Sequence, residues 1–449
     1  MDRNENILQE LAQKGHQYIK YGVVDVDGII RTKAISIAKF KEIIATGVGY
    51  CDVIFGWDSG DQCYDNTTAT GWHTGYPDRR ASIDLSTLRY LPTDEDTPFF
   101  LADMQHDEQM QSVCPRTLLK KVAQAADKMG FKALFSQEFE WFNFHQLEAG
   151  KQEVEKADLK SLTTGMFGYS HLRPIQNKDY FHSIFRSLLA MDVPLEGLHT
   201  ETGPGVYEAA IACDDVLRAA DKAVLFKSTV KELAHQHGIT ASFMAKWNAD
   251  LPGCSGHLHL SLWDKQTKQN AFSSAARELN PIMQQFMAGV LLALPELLPM
   301  YAPTINSYKR LNGGDWAPNN ISWGVDNRTV SLRVLPSENK SARLELRVPG
   351  SDANPYLAMA AALASGLYGI QHQLQLETPE TKGSAYADGR TMLASNLRNA
   401  SEIMQNSSLA KELLGEDFVH HFTQTRLWEC RQYEKMVSDW EINRYFEII

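Results

Sequence analysis

Gly256-His257-Leu258-His259-Leu260-Ser261-Leu262-Trp263 alternates polar and apolar side chains for the length of a strand. A strand sends successive side chains to opposite faces, so His257, His259 and Ser261 share one face and the leucines share the other. Two imidazoles on one face, two residues apart, suit a metal, a phosphate or both. Two other stretches repeat the device. Glu138-Phe139-Glu140, inside the run from Phe135 to Phe144, puts two carboxylates on one face between the apolar neighbours Phe139 and Trp141. Arg343-Leu344-Glu345-Leu346-Arg347 puts an Arg, a Glu and an Arg in front of two leucines. Taken singly, a Glu-x-Glu strand is more often a solvated face than a metal site, and sheet arginines are often merely exposed. If the three strands are neighbours in one sheet, their polar faces line a pocket with carboxylates, imidazoles and guanidiniums, a composition suited to divalent metal plus phosphate.

The chain of 449 residues is long enough for two domains or more. Its 43% hydrophobic and 22% charged residues place it with ordinary soluble globular proteins. A net charge of −11, without a basic stripe, argues against a nucleic-acid partner. Six cysteines with no CxxC pair read as scattered thiols of a reducing compartment. The start, Met1-Asp-Arg-Asn-Glu-Asn, is polar and holds no signal-peptide core. The most apolar run, Ile282 to Met300, is interrupted by Gln284, Gln285, Pro295 and Glu296, so it reads as a buried helix rather than a membrane span. The expected location is the cytoplasm, with no membrane partner.

Residues up to about 110 read as a small α+β unit. Ile7 to Lys20 reads as an amphipathic helix, and Tyr21 to Ile37 as a hairpin turning at Asp27-Gly28. Phe55 to Asp78 is a Gly- and Asp-rich loop, either plain surface or a functional flap. Pro115 and Gly130 bracket a helix, Arg116 to Met129. Gly150 to Gly165 reads as a loop and Asp179 to Met191 as a helix. His199 to Glu208 reads as strand, Gly-Pro-Gly turn and strand. Asp214 is placed as the cap of a long helix ending at Gly238, followed by a strand, Ile239 to Trp247. Pro303 to Pro318 carries basic residues and a Gly-Gly hinge and reads as a mobile loop. Asn354-Pro355 opens an Ala-rich core helix, and the chain from about Asp388 is helical by pattern. No internal repeat stands out.

In chain order these motifs are Glu-x-Glu, Glu-x(6)-Glu, His-x-His-x-Ser, Asn-Ser-Tyr-Lys-Arg, Asn-Arg-x(4)-Arg, and Arg-x-Glu-x-Arg-x-Pro followed by Asn-Pro-Tyr-Leu. Together they resemble the glutamine synthetase family, of the bacterial short-subunit type, specifically from about Pro115 to Leu357 and more loosely elsewhere. The resemblance implies an α+β chain: an N-terminal β-grasp domain (1–112) and an α/β catalytic domain (113–449). It implies a homo-oligomer of stacked rings, typically a dodecamer, with each active site between subunits. The implied reaction is ATP-dependent ligation of glutamate to an amine through γ-glutamyl phosphate. Carried over by position, Glu140, Glu201 and Glu208 hold one metal, and Glu138, His257 and Glu345 another, the ion being Mg²⁺ or Mn²⁺. His259, Ser261, Lys340 and Arg343 match positions near the ATP phosphates. Arg333 matches a phosphoryl-transfer arginine. Arg310, Arg328 and Arg347 match glutamate or phosphate contacts, and Gly253 a glutamate-loop glycine. Tyr180 and Asp58 align with the amine site, Asp58 acting from the adjacent subunit, and Glu201 takes part in catalysis.

The departures are informative. Ammonia-using members carry a Glu just before Ala-Pro in the flap, where this chain has Trp316. An indole takes no proton, but offers an apolar wall or a cation–π face. The acceptor is therefore expected to be an organic amine packed on Trp316, unless Asp315 takes over the base role. Pro252 replaces an Asn before the glutamate-loop glycine, Cys213 stands where an aromatic usually stacks on adenine, and Leu376 aligns with the tyrosine adenylylated in regulated members. The alternatives are an ordinary ammonia-using glutamine synthetase and a catalytically silent relative; retention of all six ligand positions weighs against the latter.

Overall fold

The computed structural model describes residues 3–147, 154–274, 278–313, 316–386 and 389–449. Two sheets organise them. The first runs in the order Ile30–Ser36, Tyr18–Val24, Thr97–Asp103, Asp78–Ile83, Val48–Cys51, with Arg89–Leu91 also on Thr97–Asp103. Tyr18–Val24 and Ile30–Ser36 form the expected hairpin. Asp25 shapes its turn by accepting the amides of Asp27 and Ile29 at 3.0 and 2.9 Å.

The second sheet is the scaffold of the site. Its order is Trp323–Val325, Leu332–Leu335, Arg343–Leu346, Gly256–Asp264, Phe131–His145, Val206–Ile211, Leu195–Thr200. Asp214–Asp215 and Ile239–Ser242 also pair with Phe131–His145. The three alternating strands are therefore neighbours. Their apolar residues, Phe135, Phe139, Leu258, Leu260, Leu344 and Leu346, are buried in the core. Phe139 stacks on Phe226 and Trp141 on Phe243, at centroid distances of 5.4 and 5.8 Å. Behind the sheet lie helices Pro115–Lys128, Val216–Gln236 and Pro355–Gln371. Helix Pro281–Ala293 packs on the last of these, backbone against backbone. A Cβ at Gly289 would sit 2.1 Å from the Ser365 carbonyl, and one at Gly369 2.0 Å from that of Gln285. This contact accounts for the apolar run near Ile282, and no helix among the described residues is long and apolar enough to cross a membrane.

Buried charge ties the two sheets together. Arg116 is 1% exposed and reaches Asp103 at 2.6 Å, Asp84 at 2.8 Å and Asp221 at 2.9 Å. Arg426, on helix Glu416–Glu434, holds Asp27 at 2.6 Å. The Phe55 to Asp78 loop lies against the same helix, where Asn66 donates to the Gln424 carbonyl at 2.8 Å and Tyr64 meets Trp428 edge-on.

Several boundaries differ from the sequence reading. The first helix spans Arg3–Gln13, because Gly15 turns with φ +74° and Tyr18 already pairs with Ser36. The cap of the long helix is Asp215, which accepts the Leu217 amide; Asp214 pairs with Phe135 instead. The strand after that helix is only Ile239–Ser242. Pro303 to Pro318 is not all loop: Thr304 and Ser307 form a capping box that starts helix Ile305–Leu311, carrying Lys309 and Arg310. Gly314 and Asp315 of the hinge lie outside the described residues, as do part of the Gly150 to Gly165 loop and Asp388. The C-terminal helices begin at Leu397.

Candidate active site

Pairing register turns the alternation into rows of polar side chains. Glu138 lies opposite His257, His259 opposite Glu345, and Glu345 opposite Arg333. On the other flank Glu140 lies opposite Glu208, and Glu208 opposite His199. Directly opposed residues of antiparallel strands share a face, so these groups project to one side of the sheet. Glu138, Glu140, Glu208 and His257 line a cavity of about 400 Å³. Around its walls stand Glu201, Gly253, Arg310, Arg328, Arg347, Tyr169 and Trp316.

The two flanks differ electrically. Glu345 is 1% exposed and accepts from Arg333 Nη1 at 2.7 Å and Arg347 Nη1 at 2.5 Å. His257 Nδ1 lies 3.3 Å from an oxygen of Glu345 and 3.3 Å from one of Glu138. Burial alone raises the Glu345 pKa, but the charges of His257, Arg347, His259 and Arg333 outweigh it and hold the carboxyl at about 2. Glu138 is likewise held well below the carboxylate range, its burial offset by hydrogen bonds from His257 and His259. The other flank lacks arginines to match. Burial and the charges of Glu138 and Glu140 push Glu208 up, although His199 Nε2 stands 3.3 Å away. The same Glu208 contact raises His199. A carboxyl pushed up by burial and like charge, as Glu208 is, marks a site that a divalent cation would relieve.

The residues fit metal binding. Ligand atoms of Glu138, His259 and Glu345 converge within 4.8 Å of one another, as do those of His199, Glu201 and Glu208. His257 Nε2 is buried with no hydrogen-bond partner among the described residues. These groupings depart from the expected sets. Glu140 lines the cavity and accepts the Ser255 amide at 2.7 Å through one oxygen, and His199 joins Glu201 and Glu208 in their triad. On the other flank His259, 3.6 Å from Glu138, completes the triad while His257 sits between the two carboxylates. Carboxylate-rich sites with one imidazole suit Mg²⁺ or Mn²⁺.

The other site residues distribute unevenly. Gly253 is obligatory: a Cβ there would lie 2.5 Å from the Ala245 carbonyl and 2.8 Å from Arg310 Cγ. Arg310 is buried, with Nη1 donating to the Val348 carbonyl at 2.8 Å and Nη2 to that of Arg347 at 3.2 Å. Arg328 is exposed at the cavity and pairs with none of the described residues. Arg333 also donates to Asp326. Further along the His257 strand, Ser261 accepts from the Trp263 indole at 3.1 Å, and Arg343 donates to His259 Nδ1 at 3.4 Å. Lys340 is exposed and outside the cavity, its carbonyl held by Asn270. The Asp58 carboxylate accepts the amides of Gly60 and Gln62 at 2.9 and 2.8 Å, and is not brought to this chain's own cavity.

Tyr180 is not brought there either. It is 1% exposed, in the aromatic core beside Trp141 and Tyr207, and its hydroxyl donates to Asn143 at 2.9 Å. Its helix, Lys178–Ala190, buries Tyr180, Ile184 and Leu188, an i, i+4, i+8 face that belongs to the core. The tyrosine at the cavity is Tyr169, which sequence reasoning missed. Its ring lies 4.7 Å from that of His199, the second missed residue. His199 was findable, because strand alternation places it on one face with Glu201.

Residues 112–445 match the family model for the glutamine synthetase catalytic domain. The chain is 46% identical to a type-1 glutamine synthetase 2 of Dictyostelium discoideum, over all of this chain and 87% of that protein. It is 38% identical to a glutamate–isopropylamine ligase of a Pseudomonas species, over 96% of this chain and 95% of that protein. A solved GmaS–ADP complex superposes with a TM-score of 0.83 at 27% identity, over 98% and 99% of the two chains. The fold, the rows of carboxylates and imidazoles across its sheet and these likenesses together show that the chain belongs to the glutamine synthetase family.

Proposed function

We propose that this chain is an ATP-dependent ligase joining the γ-carboxylate of glutamate to an organic amine through γ-glutamyl phosphate. The observation that supports the choice of amine is Trp316. It lines the cavity next to Ala317, with φ +61°, at the position where ammonia-using relatives carry a carboxylate. A left-handed backbone is costly for a bulky side chain, and the position offers an apolar ring instead of a charge. The relative named as an isopropylamine ligase favours the same reading.

In this mechanism Arg310, Arg347 and Arg328 orient the carboxylates of glutamate beside Gly253. His259, Ser261, Lys340 and Arg343 face the ATP phosphates. Arg333 offsets the charge that develops as the γ-phosphoryl group passes to glutamate. Glu138, His257, His259 and Glu345 on one flank and Glu140, His199, Glu201 and Glu208 on the other would hold divalent metal, which when bound would neutralise phosphate oxygens. The amine nitrogen then attacks the acyl phosphate carbon, Glu201 takes its surplus proton, and inorganic phosphate leaves. Asp58 belongs to the amine site of a neighbouring subunit in a ringed homo-oligomer, typically a dodecamer, in the cytoplasm.

Phosphate release with ATP, Mg²⁺ and glutamate, across ammonia, methylamine, ethanolamine, putrescine, isopropylamine and aniline, tests the reading. Turnover led by one organic amine supports it. Turnover led by ammonia sinks it in favour of a plain glutamine synthetase. That second reading is favoured by the 46% identity to the Dictyostelium protein.

A further inference from the structure

A second cavity, of about 380 Å³, adjoins the first and shares Tyr169 with it. Pro174, Ile175, Phe181 and Leu198 wall it, with His171 and His182 as its further polar side chains beside Ser170 and His199. Tyr169 lines both spaces, and its ring lies 4.7 Å from that of His199 on the wall of the second. Tyr169 is held there firmly. Its amide donates to the Thr200 carbonyl at 2.7 Å, and the Ser170 amide to Thr200 Oγ1 at 2.8 Å. Its φ is +54°, a conformation that a large side chain adopts only where its surroundings impose it. Apolar side chains crowd this side of the molecule: Phe167, Tyr169, Leu172 and Ile175 are 56%, 70%, 61% and 56% exposed. Exposed apolar surface of this kind marks a protein contact or a ligand groove, and the shared wall of Tyr169 joins this one to the first cavity.

We infer that this groove receives the carbon substituent of the acceptor amine, while the nitrogen reaches past Tyr169 into the first cavity beside Glu201. The inference rests on the organic-amine reading above and narrows it. The side chains lining the groove include no carboxylate, so a second ammonium has no partner there. The acceptor is therefore a primary amine bearing an uncharged alkyl or aryl group. Apolar burial is worth about fourfold in kcat/KM for each methylene taken out of water.

The test is the slope of log kcat/KM along methylamine, ethylamine, n-propylamine and n-butylamine, read by phosphate release. In the parent enzyme kcat/KM is expected to rise up to about fourfold per methylene. Ile175→Trp, at an exposed position, fills the groove and flattens that slope, its folding checked independently by circular dichroism and thermal unfolding against the parent. Leu198→Ala deepens the groove and moves the optimum to longer or branched amines. Organic amines accepted with the same slope in parent and both variants would overturn the groove alone and leave the organic-amine reading standing. Putrescine preferred over n-butylamine would also overturn it, because the groove offers no counter-charge. Ammonia as the leading acceptor would overturn the organic-amine reading and this inference with it.

Discussion

Glu345→Gln removes one charge from a position that is 1% exposed and braced by Arg333 at 2.7 Å and Arg347 at 2.5 Å. In the folded chain the carboxyl is held at about 2, against an ordinary 4.5. Each pH unit of such a difference is about 1.4 kcal/mol, so the charged form contributes about 3 kcal/mol. The folded value is depressed. The contribution is therefore complete above the ordinary value of 4.5, and drains away as the pH falls from there through 2. Urea unfolding of parent and variant, followed by tryptophan fluorescence with a chelator present, is the assay. A gap of about 3 kcal/mol is expected at pH 7, narrowing steadily below pH 4.5. A gap under about 1 kcal/mol at pH 7, the size of an exposed pair, would refute the reasoning. So would a gap that does not change between pH 7 and pH 3.

Three further outcomes follow from the geometry. Gly253→Ala forces the Ala245 carbonyl or the Arg310 stem to move, and is expected to raise the KM for glutamate by about tenfold to a hundredfold with the KM for ATP little changed; equal effects on both would point to general damage. His199→Ala removes an imidazole 3.3 Å from Glu208 and 3.9 Å from Glu201, and is expected to weaken Mn²⁺ binding by about tenfold or more; unaltered affinity by calorimetry would reduce His199 to a partner of Glu208. Asp215→Ala strips the cap from helix Val216–Gln236 and should cost about 1 kcal/mol in chemical denaturation, whereas Asp214→Ala should leave that cap intact.

Much of the catalytic sheet was readable because strand geometry leaves little choice. Polar and apolar residues alternate from Gly256 to Trp263, and burying the leucines forces His257 and His259 onto the same open face as Glu138 and Glu345. The order of the strands is a different matter. Alternation marks a face, but says nothing about which strand lies beside which. Helix Ile305–Leu311 was hidden behind its basic residues, although Thr304 and Ser307 carried a capping signal. Tyr180 aligns with the amine site by motif, but the apolar face it shares with Ile184 and Leu188 packs it into the core. Tyr169 left no local pattern. Its position depends on a left-handed backbone turn and a bond to Thr200, both products of tertiary structure.

The groups proposed for phosphate and metal stand mostly on paired strands, whereas Tyr169 and Trp316, proposed as walls for the acceptor, stand on connecting segments. Changes on the two kinds of support carry different penalties. A substitution on a strand disturbs a row of opposed side chains and the core behind it; one on a connection alters a wall and little else. Such a scaffold lets lineages diverge in the nitrogen compound they accept while inheriting the phosphoryl-transfer apparatus unchanged. On such a scaffold the acceptor can be exchanged by altering a wall, at little cost to the strands beneath it.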